Sequence, residues 1–257
     1  MSCLRAETDL GRTLQCDPVD RDRAGLRHGE TMNTTSRRRE FLEGQPTHWM
    51  LLVLLLALAW GFGHPWTNDT RLLGIGAGGW FALSLAIPAV HQIYIWAVWR
   101  IELLYKGVSQ PLGRYAFPVY AADFLILLSA RPITLFCLAW TDRGSLSLPP
   151  SIGVSLALPM LPLLIYTLYS VFRYFGVSRA MGKDHFDPEI RRLGKVRRGV
   201  FRYVPNAMYT FAFLFLWIIA IALDSRSALI VAAFQHCYIW VHYFCTERPD
   251  MRRIYGE

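Results

Sequence analysis

Six long apolar runs, separated by short polar segments rich in arginine and lysine, constrain this chain more than any other feature. They lie at about 49–63, 72–99, 119–140, 152–172, 207–223 and 228–244. A helix needs ~20 apolar residues to cross a ~30 Å hydrocarbon core. Runs of that length, in a chain that is 53% hydrophobic, favour membrane spans over a soluble core. The first run is short, but its flanking tryptophans suit the membrane interface. The expectation is an all-α, polytopic integral-membrane helical bundle of about six transmembrane helices, ending in a helical hairpin.

The basic residues alternate from side to side. Arg37, Arg38 and Arg39 precede the first run, and Arg100, Lys106 and Arg114 follow the second. A dense series from Arg173 to Arg202 separates the fourth and fifth, and Arg248, Arg252 and Arg253 follow the last. The other loops carry only Arg71, Arg143 and Arg226. Positive charge is retained in the cytoplasm, so a multi-pass protein with both termini cytoplasmic is expected. The net charge of +8 is thereby read as facing anionic lipid, and nucleic acid is excluded as a partner.

Residues 1–46 are polar, without sustained apolar periodicity, and read as a disordered tail. Met32, followed by Asn33 to Arg39, would be a natural start for a membrane protein, which makes 1–31 an over-long extension. The membrane domain is expected at 47–257, with its core at 173–257. The five cysteines form no C-x-x-C pair, and no H-E-x-x-H is present, so neither a disulfide framework nor a metal site is expected.

Polar groups inside the spans are functional candidates because lipid penalises them. Asp123 and Arg131 share a helix but sit ~12 Å apart along its axis, so each must pair elsewhere or face a wet cavity. His91, Gln92, Gln235, His236 and His242 suit hydrogen bonding between helices. In the long basic loop, Asp184-His185 places a carboxylate beside a group that titrates near neutrality. That pair reads either as a general base or as part of a solvated loop.

The last stretch is the most informative. Two apolar arms joined by a turn at Asp224-Ser225-Arg226-Ser227 must return to the same membrane face, so Asn206 and Tyr209 can meet Glu247 and Arg248. Phe201-Arg202-Tyr203 through Tyr209, the hairpin, then Thr246-Glu247-Arg248-Pro249-Asp250-Met251 and Tyr255-Gly256 resemble the carboxy-terminal core of a membrane methyltransferase superfamily. It includes isoprenylcysteine carboxyl methyltransferases and phosphatidylethanolamine N-methyltransferases. In that family an Arg-His-Pro-x-Tyr box and a Glu-Glu pair cradle S-adenosylmethionine. Here Pro205, Asn206 and Ala207 stand where Arg, His and Pro are usual, Tyr209 agrees, and Thr246-Glu247 replaces Glu-Glu.

The resemblance implies a cytoplasmic cofactor pocket for S-adenosylmethionine, with Arg202, Tyr203, Asn206, Tyr209, Glu247 and Arg248 as its contacts. It further implies methyl transfer to a lipid-like substrate at the cytoplasmic face. A phospholipid amine is preferred, because His185 with Asp184 is placed to remove the proton that an ammonium must lose. A prenylcysteine-like or small carboxylate substrate, which needs no base, is the alternative. A transporter or scaffold that kept the fold is the non-enzymatic rival, although paired broken helices are not evident. Oligomeric state is left open.

Overall fold

The computed structural model describes residues 36–65 and 70–256. Most of the tail, with Cys3, Cys16 and the expected start at Met32, lies outside the described residues. The chain divides into two compact units, Met1–Phe41 and Leu42–Glu257. Residues 36–41 of the first unit, expected to be disordered, are helical.

Among the described residues, the second unit is an all-α bundle with one two-residue-deep hairpin, β1 (Arg71–Leu72) against β2 (Ile75–Gly76). Its long helices are α1 (Gln45–Gly63), α2 (Ala77–Tyr105) and α3 (Ala116–Thr141). The broken pair α4 (Pro150–Ala157) and α5 (Met160–Ser170) follows. The hairpin arms are α6 (Leu214–Ala222) and α7 (Arg226–His242), and α8 (Arg248–Tyr255) closes the chain. The break between α4 and α5 falls at Leu158-Pro159, where proline removes a backbone donor and crowds the preceding turn.

Among the described residues, five helical stretches are long and apolar enough to cross a membrane: Ser36–Gly63, Ala77–Tyr105, Ser109–Thr141, Pro150–Phe175 and Arg226–Tyr255. The fifth expected span, at about 207–223, corresponds to the shorter apolar helix Met208–Ala222. The second span also begins later than its hydropathy suggests, because residues 71–76 form the β hairpin and helix starts only at Ala77.

The core lies where α1, α2, α3, α6 and α7 meet, around Leu52, Phe81, Leu85, Leu135, Leu138, Val231 and Phe234. Small residues at the contacts, including Ala59, Ala89, Ala139, Ala220, Ala228 and Ala232, let the helix backbones approach closely. In lipid the aqueous hydrophobic effect does not hold helices together, so this close packing and interhelical hydrogen bonds must. Arg131 and Asp123 each pair elsewhere, as their separation requires. Arg131 donates to Gln235 Oε1 at 2.9 Å and lies over the Phe213 ring, while Asp123 accepts from the Tyr94 hydroxyl at 3.0 Å. His48 meets the Tyr238 hydroxyl at 2.8 Å, and Trp217 donates to His236 at 3.1 Å.

The hairpin turn is tied to the end of α3. Asp142, buried, accepts from Ser145 Oγ at 2.7 Å, Ser225 Oγ at 2.8 Å and the Ser227 amide at 3.0 Å. Ser225 also caps α7 by accepting from the Ala228 amide at 3.1 Å. Asp142→Ala orphans several buried donors at once, each worth about 1–3 kcal/mol when left unpaired. A fall in the thermal midpoint of the purified protein is expected, larger than that for Ser145→Ala, which removes a contact with the Arg226 amide but leaves those of Asp142 with Ser225 and Ser227 in place. Equal midpoints would show that the carboxylate is not the fastening.

Candidate functional site

Among the described residues, three wide π turns lie at one end of the bundle: Val171–Phe175 after α5, Met208–Ala212 before α6, and Tyr243–Glu247 between α7 and α8. A π turn carries an extra residue in the helical ladder and re-aims the side chains on it, often at functional sites. Phe175, Met208, Tyr209, Tyr243 and Glu247, all from these turns, line one cavity of about 380 Å³. Volumes of roughly 300–1,000 Å³ are usual for small-molecule sites.

Across the mouth of the hairpin, Tyr209 donates its hydroxyl to Glu247 Oε2 although 38 positions separate them. The first foot is fixed by a turn at Gly199–Arg202 that buries Val200 and Phe201. The Val200 amide donates to Ser170 Oγ at 3.0 Å, and Phe201 packs on Phe175 with ring centres 5.0 Å apart. Gly199 has φ +61°, and a Cβ there would come within 2.6 Å of Ser170 Oγ, so only glycine permits this approach.

The basic loop supplies the opposite wall, and it is ordered by ionic contacts. Arg191 donates to the Asp184 carbonyl at 2.7 Å and the His185 carbonyl at 3.0 Å. The His185 ring is fully buried and stacks on Trp99, with centroids 4.0 Å apart. Its Nδ1 lies 3.3 Å from Asp184 Oδ1, and its Nε2 lies 3.6 Å from Asp250 Oδ2. Tyr255 donates to Asp184 Oδ2 at 3.2 Å and accepts from Arg179 at 3.2 Å. Burial alone would drive a proton off His185, but the carboxylates of Asp184 and Asp250 outweigh it and raise the imidazole to about 9. For Asp184 burial pushes the other way, yet its contacts with His185 and Tyr255 hold the carboxyl below its ordinary range.

Of the residues singled out from sequence, Asp184, His185, Asn206, Tyr209, Glu247 and Arg248 all line the cavity. Arg202 and Tyr203 are not among its lining residues; Tyr203 is exposed, with Arg202 over its ring. Residues 152–257 match the phospholipid methyltransferase family model. The phospholipid methyltransferase match covers both feet of the hairpin and the basic loop, and leaves α1 to α3 outside. No curated protein and no solved structure matches the chain.

Sequence reasoning missed Trp99, Asp250 and Arg100 at this site. Arg100 follows the second apolar run and reads as a topology signal, yet it is fully buried with its Nε 2.5 Å from Asp250 Oδ1. The cavity suits S-adenosylmethionine in the character of its walls. Glu247 presents a half-buried carboxylate, Arg248 has no ion pair among the described residues, and Phe201, Met208 and Tyr243 supply apolar and aromatic surface.

Proposed function

We propose that this protein transfers a methyl group from S-adenosylmethionine to the amine of a phosphatidylethanolamine-type phospholipid at the cytoplasmic membrane face. The observation that carries the reading is the meeting of Tyr209 and Glu247, which closes a ligand-sized cavity at the foot of the membrane hairpin. The cofactor supplies an electrophilic methyl on a sulfonium. Glu247, oriented by Tyr209, would hold its ammonium, Arg248 its carboxylate through charge-assisted hydrogen bonds, and Asn206 can both donate and accept. Fixing the donor in this way aligns it for in-line attack, where orientation supplies much of the rate. The aromatic and apolar walls would exclude water around the positive charge as it passes from the sulfonium to the acceptor nitrogen.

His185 takes a different part from that suggested by its sequence context. An imidazole already protonated at neutral pH does not accept a second proton, so His185 acts as a fixed cation holding Asp184 and Asp250 in place. The acceptor ammonium instead loses its proton to solvent at the mouth of the cavity, where Arg248 is exposed. Methylation of a lipid amine should then accelerate with pH until the amine is free. A carboxylate acceptor would show no such rise.

Calorimetry should show S-adenosylmethionine binding to the wild type, and Glu247→Gln should weaken it by about 100-fold, on the order of 3 kcal/mol for an ion pair losing one charge. Undiminished affinity in that variant would remove Glu247 from the site. Membranes incubated with donor labelled in its methyl group should yield label in the phospholipid fraction. Label confined to protein or to prenylated carboxyl esters would identify the other acceptor class.

A further inference from the structure

Arg100, the buried ion partner of Asp250, takes no part in the mechanism above and lies outside the stretch that matches the family. Both side chains are fully buried, with Nε and Oδ1 2.5 Å apart. Asp250 uses its other oxygen, Oδ2, toward His185 Nε2 at 3.6 Å. Arg100 also donates to the Glu43 carbonyl at 3.4 Å, just before α1. Trp99, the preceding residue on α2, is the surface on which the imidazole stacks. One turn of α2 thus provides both the platform under His185 and the cation behind its carboxylate partner.

A charge pair removed from water is not a general source of stability, since desolvation offsets most of the attraction. Its geometric effect is clearer: an aspartate gripped on one oxygen has its second oxygen fixed in direction. We propose that Arg100 is a positioning residue for the cavity, acting through Asp250 to hold His185 and the loop that carries it against the pocket. The second membrane helix therefore belongs to the site although the family match begins beyond it.

Other charges bear on the same imidazole. Asp184 faces Nδ1, and Tyr255 and Arg179 stand behind Asp184. Arg253 reaches Asp250 Oδ1 at 3.4 Å and also pairs with Glu43. Glu247 lines the same cavity as His185, and the His242 ring lies 5.6 Å from the Trp99 ring on which His185 stacks. These groups remain when Arg100 is replaced, so the sign of the response is diagnostic. Simple removal of a nearby cation would make His185 hold its proton more tightly. Loss of positioning would let Asp250 turn away, and His185 would release its proton at lower pH.

The test is the titration of ¹³C-labelled histidine in the purified full-length protein in detergent, with His185→Gln assigning the resonance. Asp250→Asn should lower the His185 midpoint by about one pH unit, the size expected for a lost charge partner. Arg100→Gln should also lower it, and should add nothing in the Asp250→Asn background. A raised or unchanged midpoint in Arg100→Gln, or a full second drop in the double variant, would overturn the proposal. Should Arg100→Gln fail to fold, Arg100→Lys in the two backgrounds gives the same comparison, because lysine keeps the charge and lacks the rigid fork. No ligand enters the measurement, so a failure to bind S-adenosylmethionine would count against the proposed function and leave this inference standing or falling on its own result.

Discussion

Gly182→Ala is expected to lower stability by roughly 2–5 kcal/mol, combining left-handed backbone strain with overpacking against a rigid ring. Gly182 has φ +82°, and a Cβ there would sit 2.3 Å from Trp99 Cζ2 and 2.5 Å from Cε2. The ring has little room to retreat. It is 5% exposed, its indole N–H donates to the Tyr120 hydroxyl at 2.8 Å, and its face stacks on His185. The Gly182 carbonyl also lies 3.2 Å from His185 Nδ1, so displacing the loop disturbs the imidazole as well as the tryptophan. Gly256→Ala is the internal control. Its backbone, at φ +73° and ψ 32°, is left-handed like that of Gly182 at φ +82° and ψ 29°, yet a Cβ there meets nothing within 4 Å, so that variant carries the backbone strain without the clash. Denaturation of the two variants under the same conditions should place Gly182→Ala well below Gly256→Ala. Equal losses would mean that the close approach of loop to ring is not a constraint on folding.

How much of this site is legible in the sequence depends on whether a residue's role follows from pattern or from packing. The hairpin is legible because two apolar arms around a polar turn must return to one face, and the contact of Tyr209 with Glu247 follows from that geometry. The short first arm is not, since hydropathy alone does not reveal that Met208–Ala212 is wound as a π turn. Nothing in residue type distinguishes those three turns from ordinary helix, although they aim several of the cavity's side chains. Arg100 misleads for a physical reason. An arginine at the end of an apolar run usually snorkels to the interface, and only its buried partner at Asp250 shows otherwise. Arg202 and Tyr203 mislead differently, because proximity in sequence to Asn206 and Tyr209 does not survive the turn at Gly199–Arg202, which directs Tyr203 outward.

Stability should also fall on the alkaline side, and His185 sets the window. Its imidazole is raised from 6.5 to about 9 in the folded protein by the carboxylates of Asp184 and Asp250, against the opposing effect of burial. A group whose folded state binds its proton more tightly stabilises that state fully below its unfolded value, and the contribution disappears as pH rises through the folded value. The loss therefore begins near pH 6.5 and is complete somewhat above pH 9. Its upper bound is about 3 kcal/mol, since every pH unit between the unfolded and folded values contributes roughly 1.36 kcal/mol. Above that range a neutral ring separates two buried carboxylates whose repulsion it no longer offsets. Asp184 acts at the opposite extreme. Its depressed value means that the stability it supplies is present above the ordinary carboxylate range and is lost as acid drives pH down through its folded value. Thermal midpoints of the wild type in detergent should accordingly decline between pH 6.5 and 9.5, whereas His185→Gln, unable to titrate, should start lower and remain nearly flat. A decline of equal depth in His185→Gln would assign the alkaline limb to other groups and remove the imidazolium from the wall of the cavity. If the flat profile is found, the same titration marks the upper edge of catalysis: the acceptor amine gains reactivity with pH while the wall that shapes its pocket weakens, so activity should pass through a maximum near pH 9 in the wild type.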